Sequence, residues 1–553
     1  MRGDDVFHYR SSLGAIASLL ALAWGCAPRP PAPAPAGTTT QPAAATKSGA
    51  FSRQQLMEDA RELARIIEDT HPDPYTAGGG RIAFHRRLHR ALNAIPDEGL
   101  TGDEFFRLMR PFVAGVGDAH TNFMRGYGLD PRLLDGVALR LKVIEESLVV
   151  VGAERARQDL LGSRLVSVEG LPLAELVARQ RRLQGVDNQY HALYVLATRS
   201  LIYGQYLREL IPEWAGAGRV RVELQRADGA RAALDLAPPA RNAAWATPPS
   251  RVALPVPGGS GFKTAFLRPP DGGQEIAYVR FRHMSGYLET REQRDPILSK
   301  ITRPASATAE FRELVTEMKR RGTQTLILDS RGNPGGNSLM SEILVYYIHG
   351  KEKLHEMAGV GTGEHGAFRY SKLYFADRPS ESLAAINQGR AVPLVEGDYD
   401  FAWSYVNGKP ISRRSGPAGE PPTVKFLRLS PTFREEYDAG TYSGYYTPKH
   451  VIVLCDAGTL SAGFSVVVEF WRLGATSVGT PPAQGPNSYG SAAIFTLRHT
   501  GLKGMVPMIS AAHFPDDPSK AHVLPVDHML TYERFKSYNF DPNAEYLYAL
   551  TLR

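Results

Sequence analysis

Two short segments carry residue types suited to acyl transfer. Asp329-Ser-Arg-Gly-Asn-Pro-Gly-Gly336 follows a strand-like run at 324–328, and Asp456-Ala-Gly-Thr-Leu-Ser461 follows another at 450–454. A serine hydroxyl becomes a nucleophile once a base takes its proton. Gly335 and Gly336 lack Cβ, so their backbone N–H groups can come close to a ligand oxygen. Ser461 opens a helix-compatible stretch, and its neighbour Ala462 would offer an N–H where the helix dipole favours an anion. A nucleophile beside backbone donors from two loops is what acyl transfer needs, because the donors hold the tetrahedral oxyanion. The same residues would also serve a purely structural end, with Ser461 capping its helix and the glycines making a turn.

The elements around these loops set their position. Strand, glycine-containing loop and helix occur twice, at 324–348 and at 450–473, which is the pattern of a mostly parallel α/β sheet. In such sheets ligands bind beyond the carboxyl ends of the strands, where both loops fall. Another strand is expected at 275–282. Upstream, 51–126 reads as helical, with Ser52/Gln55 and Thr101/Glu104 as capping boxes and His71-Pro72 as a stop. The last of these helices ends just before Gly117-Asp-Ala-His-Thr121. Residues 135–240 read as strand-rich, with a helical insertion at about 188–210 and a turn at Ala227-Asp-Gly229. They are loosely similar to a PDZ-type module. The long, aromatic segment 350–447 interrupts the α/β region 241–553 and is expected to be a surface elaboration or a cover over the substrate.

Taken in order, Leu328 to Gly336, Thr459-Leu-Ser-Ala462, Gly117 to Thr121 and Pro486-Asn-Ser-Tyr-Gly490 resemble the C-terminal (tail-specific) processing peptidases and their tricorn-core relatives. The resemblance spans roughly 51–530. It implies an α/β fold with a Clp protease/crotonase-like core, a helical N-terminal region and a PDZ-like module. It makes Ser461 the nucleophile of a serine-type endopeptidase, and Gly335 or Gly336 with Ala462 the oxyanion hole. The chain departs from the Ser-Lys branch of that family, since Phe464 stands where its Glu is expected and no Lys lies between Ser461 and Lys503. The tricorn-like Ser-His branch draws its base from the N-terminal region, and His120 fits that place. Its acid precedes a Pro-Asp near the C-terminus. Pro525-Val-Asp527 approximates that pair, but Ser519 and Lys520 occupy the acid's region, so Asp118, Asp516, Asp517 and Asp527 all stand as candidates to orient His120. A protein or peptide substrate is implied, and no metal or cofactor. The alternative is a non-catalytic ligand- or peptide-binding protein on the same scaffold.

Composition bounds these readings. The chain has 553 residues, 43% hydrophobic, which suffices for packed cores, and a length for three or four domains. Its 2 cysteines exclude a disulfide scaffold. The net charge of +7 is spread without a basic run, so nucleic acid is not indicated. Arg2 and Arg10 precede an apolar run at 13–24, the length of a signal-peptide core and too short to span a bilayer. Ala23-Trp-Gly-Cys26 follows and resembles a lipobox, which makes 1–26 an export signal and Cys26 a lipid attachment site for a periplasmic or outer-surface protein. The Pro-, Ala- and Thr-rich segment 27–50 is then an extended tether to the membrane. Three weaker signals are read structurally. Gly361 to Gly366 is a loop rather than a dinucleotide site. His85 and His89 lie among arginines on a solvated basic face, and Asp329 and Arg331 form an ion pair that shapes the glycine loop.

Overall fold

A computed structural model describes residues 49–553 apart from 125–134, 217, 240–242, 258–260, 286, 290–304, 358–365, 380, 389, 391, 402, 407–408, 413–423, 425–427 and 429–430. The expected export signal with Cys26, nearly all of the expected tether and most of the Gly361–Gly366 motif therefore lie outside the described residues.

The helices Arg53–Thr70, Gly80–Asn93 and Gly102–Ala114 form the N-terminal region, and both expected capping boxes are present at Ser52/Gln55 and Thr101/Glu104. Leu56, Ala60, Leu63 and Ile67 line one fully buried face of the first helix, each large side chain contributing about 1.5–3 kcal/mol. Their core also takes in Phe495, Leu497 and Val506 from far along the chain. A seven-stranded antiparallel sheet follows, built mainly from Leu139–Ile144, Ser147–Glu154, Arg164–Val168, Val220–Gln225 and Arg231–Leu236. The helix Gln189–Val195 and its continuation lie within this segment.

The central sheet has six strands: β1 (Phe262–Leu267), β2 (Ile276–Phe281), β3 (Thr325–Asp329), β4 (His450–Cys455), β5 (Thr476–Gly479) and β6 (His528–Met529). β1 pairs antiparallel with β2, and every later pairing is parallel. One face packs on the helices Ala307–Arg321, Leu339–Met357 and Ala462–Arg472. The other packs on the C-terminal helices and on Ile144 and Val149 of the antiparallel sheet. Because β3, β4 and β5 run parallel, the loops after them emerge at one edge.

Part of the segment 350–447 does more than decorate the surface. Phe433, Tyr437 and Tyr442 are buried against Tyr346 and Tyr347 in the main core. The strands Ala367–Arg369 and Tyr399–Phe401 extend a five-stranded sheet whose centre is the hairpin of Asn487–Thr496 and Lys503–Ala512. The short strand Asn122–Met124 pairs with the start of Lys503–Ala512. The chain just after His120 is thereby bonded to the hairpin that begins just after Gln484.

Candidate active site

Ser461 stands at the first position before the helix Ala462–Arg472 with φ 55° and ψ −127°, and its side chain makes no capping hydrogen bond. A non-glycine residue at positive φ costs of order 1–3 kcal/mol and persists only where the surroundings impose it. Here the Ser461 N–H donates to Gln484 Oε1 at 2.7 Å, Leu460 N–H to the Asn333 carbonyl at 2.9 Å, and Ala483 N–H to the Thr459 carbonyl at 3.0 Å. The half-buried side chain is left without the capping bond a serine here would otherwise make.

The glycine loop is fastened to the same turn. Asp456 Oδ1 accepts from Gly332 N–H at 2.7 Å and from Gly458 N–H at 2.9 Å. Ser330 Oγ donates to the Gly463 carbonyl at 2.9 Å, and Thr459 Oγ1 to the Ser330 carbonyl at 2.9 Å. Gly335 N–H donates to Asn333 Oδ1 at 3.0 Å, so that donor is already engaged. Gly336 is exposed with φ +137°, and a Cβ there would meet the Met284 carbonyl oxygen at 2.3 Å. Neither Gly336 N–H nor Ala462 N–H donates to a protein acceptor among the described residues. These two groups are the ones open to an oxyanion.

Beneath the loop the expected Asp329–Arg331 pair belongs to a larger ionic cluster. Arg331 Nε and Nη2 grip both oxygens of Asp329 at 2.9 and 2.6 Å, and Arg331 Nη1 reaches Glu545 Oε2 at 2.8 Å. Arg280 and Tyr278 also bond Asp329 at 2.6 Å each, and Lys142 pairs with Glu545 at 2.6 Å. Burial opposes the Asp329 charge, but Arg280 and Arg331 outweigh it and hold the carboxyl well below the usual range.

His120 lies in the turn between the helix Gly102–Ala114 and the strand Asn122–Met124. Both of its ring nitrogens are buried without a hydrogen-bond partner among the described residues. Burial lowers its pKa, the Asp118 charge works the other way, and His71 lowers it further, so the ring is neutral at neutral pH. Asp118 Oδ1 accepts the backbone N–H groups of His120 and Thr121, both at 2.7 Å. Its Oδ2 faces His71 Nε2 at 3.2 Å, and His71 Nδ1 accepts from Asp73 N–H at 2.9 Å. That second bond fixes the tautomer in which His71 donates to Asp118.

The other candidate acids lie elsewhere. Asp516 is exposed. Asp517 caps Ser519 and pairs with Lys520 at 2.9 Å. Asp527 accepts from Ser477 N–H and Oγ at 2.8 Å beside β5. Phe464, in the place of the Glu of the Ser-Lys branch, is buried in the main core. His85 pairs with Glu68 at 3.0 Å. Cys455 is a free, buried thiol at the end of β4.

Two residues at the site have no signature in the sequence. Gln484 seats the Ser461 backbone, and Asp187 accepts from Ala119 N–H at 2.8 Å and Gly485 N–H at 3.1 Å. Only the position of Gln484, just before Pro486-Asn-Ser-Tyr-Gly490, hinted at a role; Asp187 is one acid among many until the fold brings three segments together.

Residues 275–503 match the model of peptidase family S41. Among solved structures, mature CPAF complexed with lactacystin aligns over 90% of this chain and 98% of its own, at 13% identity and a TM-score of 0.53. Mature CPAF alone aligns over 90% and 96%, at 13% identity and a TM-score of 0.52. At that identity the likeness is one of fold. The chain matches no curated protein.

Proposed function

We propose that this chain, whose residues 275–503 match the model of peptidase family S41, is a serine peptidase that cleaves peptide bonds through an acyl-enzyme on Ser461 with His120 as general base. The observation that carries this reading is the Ser461 turn. A strained serine, freed from helix capping, sits beside two open N–H donors at the carboxyl edge of a parallel sheet.

In the proposed reaction Ser461 Oγ attacks the substrate carbonyl as His120 takes the hydroxyl proton. The carbonyl oxygen becomes an oxyanion held by Gly336 N–H and Ala462 N–H. Collapse breaks the C–N bond, and the leaving amine receives the proton from His120. Water then attacks the acyl-enzyme by the same route and releases the carboxylic acid. The lowered pKa of His120 keeps it in the proton-accepting form, and the Asp118 turn fixes its backbone.

Ser461→Ala should abolish labelling by a fluorophosphonate probe, and retained labelling would rule out Ser461 as nucleophile. One observation favours the non-catalytic alternative: no acid among the described residues bonds the His120 ring. Labelling of the unaltered protein at Ser461 decides between the two.

The chain is also proposed to be exported and lipid-anchored. The support is the apolar run at 13–24, the Ala23-Trp-Gly-Cys26 segment and the proline-rich 27–50. Among the described residues no helix is long and apolar enough to cross a membrane. Cys26→Ser should move the protein from the membrane fraction to the soluble fraction; unchanged fractionation would remove the anchor.

A further inference from the structure

The base and the nucleophile lie on segments 341 residues apart in the chain, so something must hold their loops in register. Asp187 is placed to do so. One carboxylate oxygen accepts the N–H of Ala119, the residue before His120, at 2.8 Å. The other accepts the N–H of Gly485, the residue after Gln484, at 3.1 Å. Gln484 in turn accepts the N–H of Ser461 at 2.7 Å. The path His120–Ala119–Asp187–Gly485–Gln484–Ser461 therefore joins four separate segments through three hydrogen bonds. Asp187 itself is held from both sides. A Cβ at Gly185 would meet the Asp118 carbonyl oxygen at 2.3 Å, which presses this segment onto the base-bearing turn. Asn188 Nδ2 donates to the Pro482 carbonyl at 3.0 Å, which ties the segment to the stretch leading into Gln484.

We propose that Asp187 is a positioning residue of the peptidase: its carboxylate clasps the His120 turn to the Gln484–Gly485 loop and so holds the base in reach of Ser461. The inference rests on the Ser461–His120 reading. The charged and titratable groups facing Asp187 are Asp118 and Tyr489, with His71 and Asp73 behind them. No cation pairs with Asp187 among the described residues. Burial, with the nearby Asp118 charge, pushes its carboxyl up to about 7. Two backbone donors are best met by a carboxylate, and protonation turns one of its oxygens into a competing donor. The clasp should therefore loosen as pH falls through that value.

The test is the rate of fluorophosphonate labelling in four full-length proteins: unaltered, Asp187→Asn, His120→Ala and the double variant. Asp187→Asn should slow labelling about tenfold when His120 is present and less than about twofold when it is absent, because one residue acts through the other. The unaltered protein should lose labelling on acidification near pH 7, and Asp187→Asn should move that limb to lower pH, because the His120 pKa is itself lowered by burial. An unaltered rate in Asp187→Asn, an equal drop in both backgrounds, or an unmoved acid limb overturns the proposal. If Asp187→Asn does not fold, Asp187→Ser goes through the same comparison with the same outcomes. A His120→Ala protein that labels at the full rate would instead remove His120 as base, a result distinct from failure of the clasp.

Discussion

A Cβ placed on Gly335 would stand 2.5 Å from the Cβ of Ser461 and 3.0 Å from its Oγ. The glycine loop and the Ser461 turn are in contact, and only the absence of a side chain allows it. Gly335 also has φ +110°, which a residue with a Cβ adopts only under strain. Gly335→Ala should therefore push the loop off Ser461, carrying Gly336 N–H with it. Labelling at Ser461 should fall by about two orders of magnitude, the size expected when an oxyanion donor is lost. Thermal unfolding should shift by only about 1–3 kcal/mol. A variant that labels like the unaltered protein would mean that Gly336 does not serve the oxyanion.

Gln484 should matter for a different reason. Its Oε1 is the acceptor for the Ser461 N–H in a turn with φ 55°. Gln484→Ala leaves that donor without a partner and lets the turn relax. Labelling should slow about tenfold, the equivalent of one hydrogen bond of about 1.4 kcal/mol, while the melting temperature moves little. A large loss of stability with unchanged labelling would assign Gln484 to the fold alone.

Asp118 predicts an acid sensitivity. Burial opposes its charge, but His71 donates to it and the backbone of Thr121 adds a further bond. The net result is a carboxyl lowered from 3.8 to about 2. A carboxyl depressed in the folded state contributes stability that is present above its unfolded value and lost as pH falls through the folded one. The contribution is roughly 2–3 kcal/mol, lost between about pH 4 and 2. Asp118→Asn should lower stability at neutral pH and flatten the dependence in that window. Denaturation curves at several pH values measure both, and an unchanged slope would count against this account.

The parts of this fold that repeat a local rule were legible in the sequence. The capping boxes at Ser52 and Thr101, the alternating strands near 139 and 220, and the two strand–loop–helix units each carry their signal within about a dozen residues. The hairpin of Asn487–Thr496 and Lys503–Ala512 did not, because its alternation is diluted by small residues and interrupted by Pro507. The strand Asn122–Met124 spans three residues and exists only because the hairpin receives it. The site divides in the same way. Ser461, Gly336 and Ala462 stand out because chemistry restricts which residues serve there. Asp187 and Gln484 act by meeting backbone donors from distant segments, and any acceptor at the right place would do so. Nothing in the neighbourhood of Asp187 marks it, and Gln484 is marked only by standing just before Pro486-Asn-Ser-Tyr-Gly490. Asp118 stood out only by its nearness to His120, yet its carboxylate meets the His120 backbone and the His71 ring.

The ionic cluster under the glycine loop offers the sharpest test of how the loop is held. Asp329 and Glu545 have no exposure to solvent, and among the described residues Arg331 is the one bonded to both. Removing it leaves Arg280 to balance Asp329 and Lys142 to balance Glu545. Each acid keeps one cation, so losing the guanidinium bonds without regaining water should cost about 3 kcal/mol, the low end for a buried pair broken on one side. Arg331→Met should destabilise the chain by about that amount in denaturant titrations. Arg331→Lys should recover little, since an ammonium cannot grip both Asp329 oxygens while reaching Glu545. Arg331 is the third residue of the loop that ends in Gly335-Gly336, so labelling of Ser461 should slow in both variants even at temperatures where they remain folded. Full labelling in folded Arg331→Met would mean that the loop keeps its shape through Asp456, Ser330 and Thr459 alone.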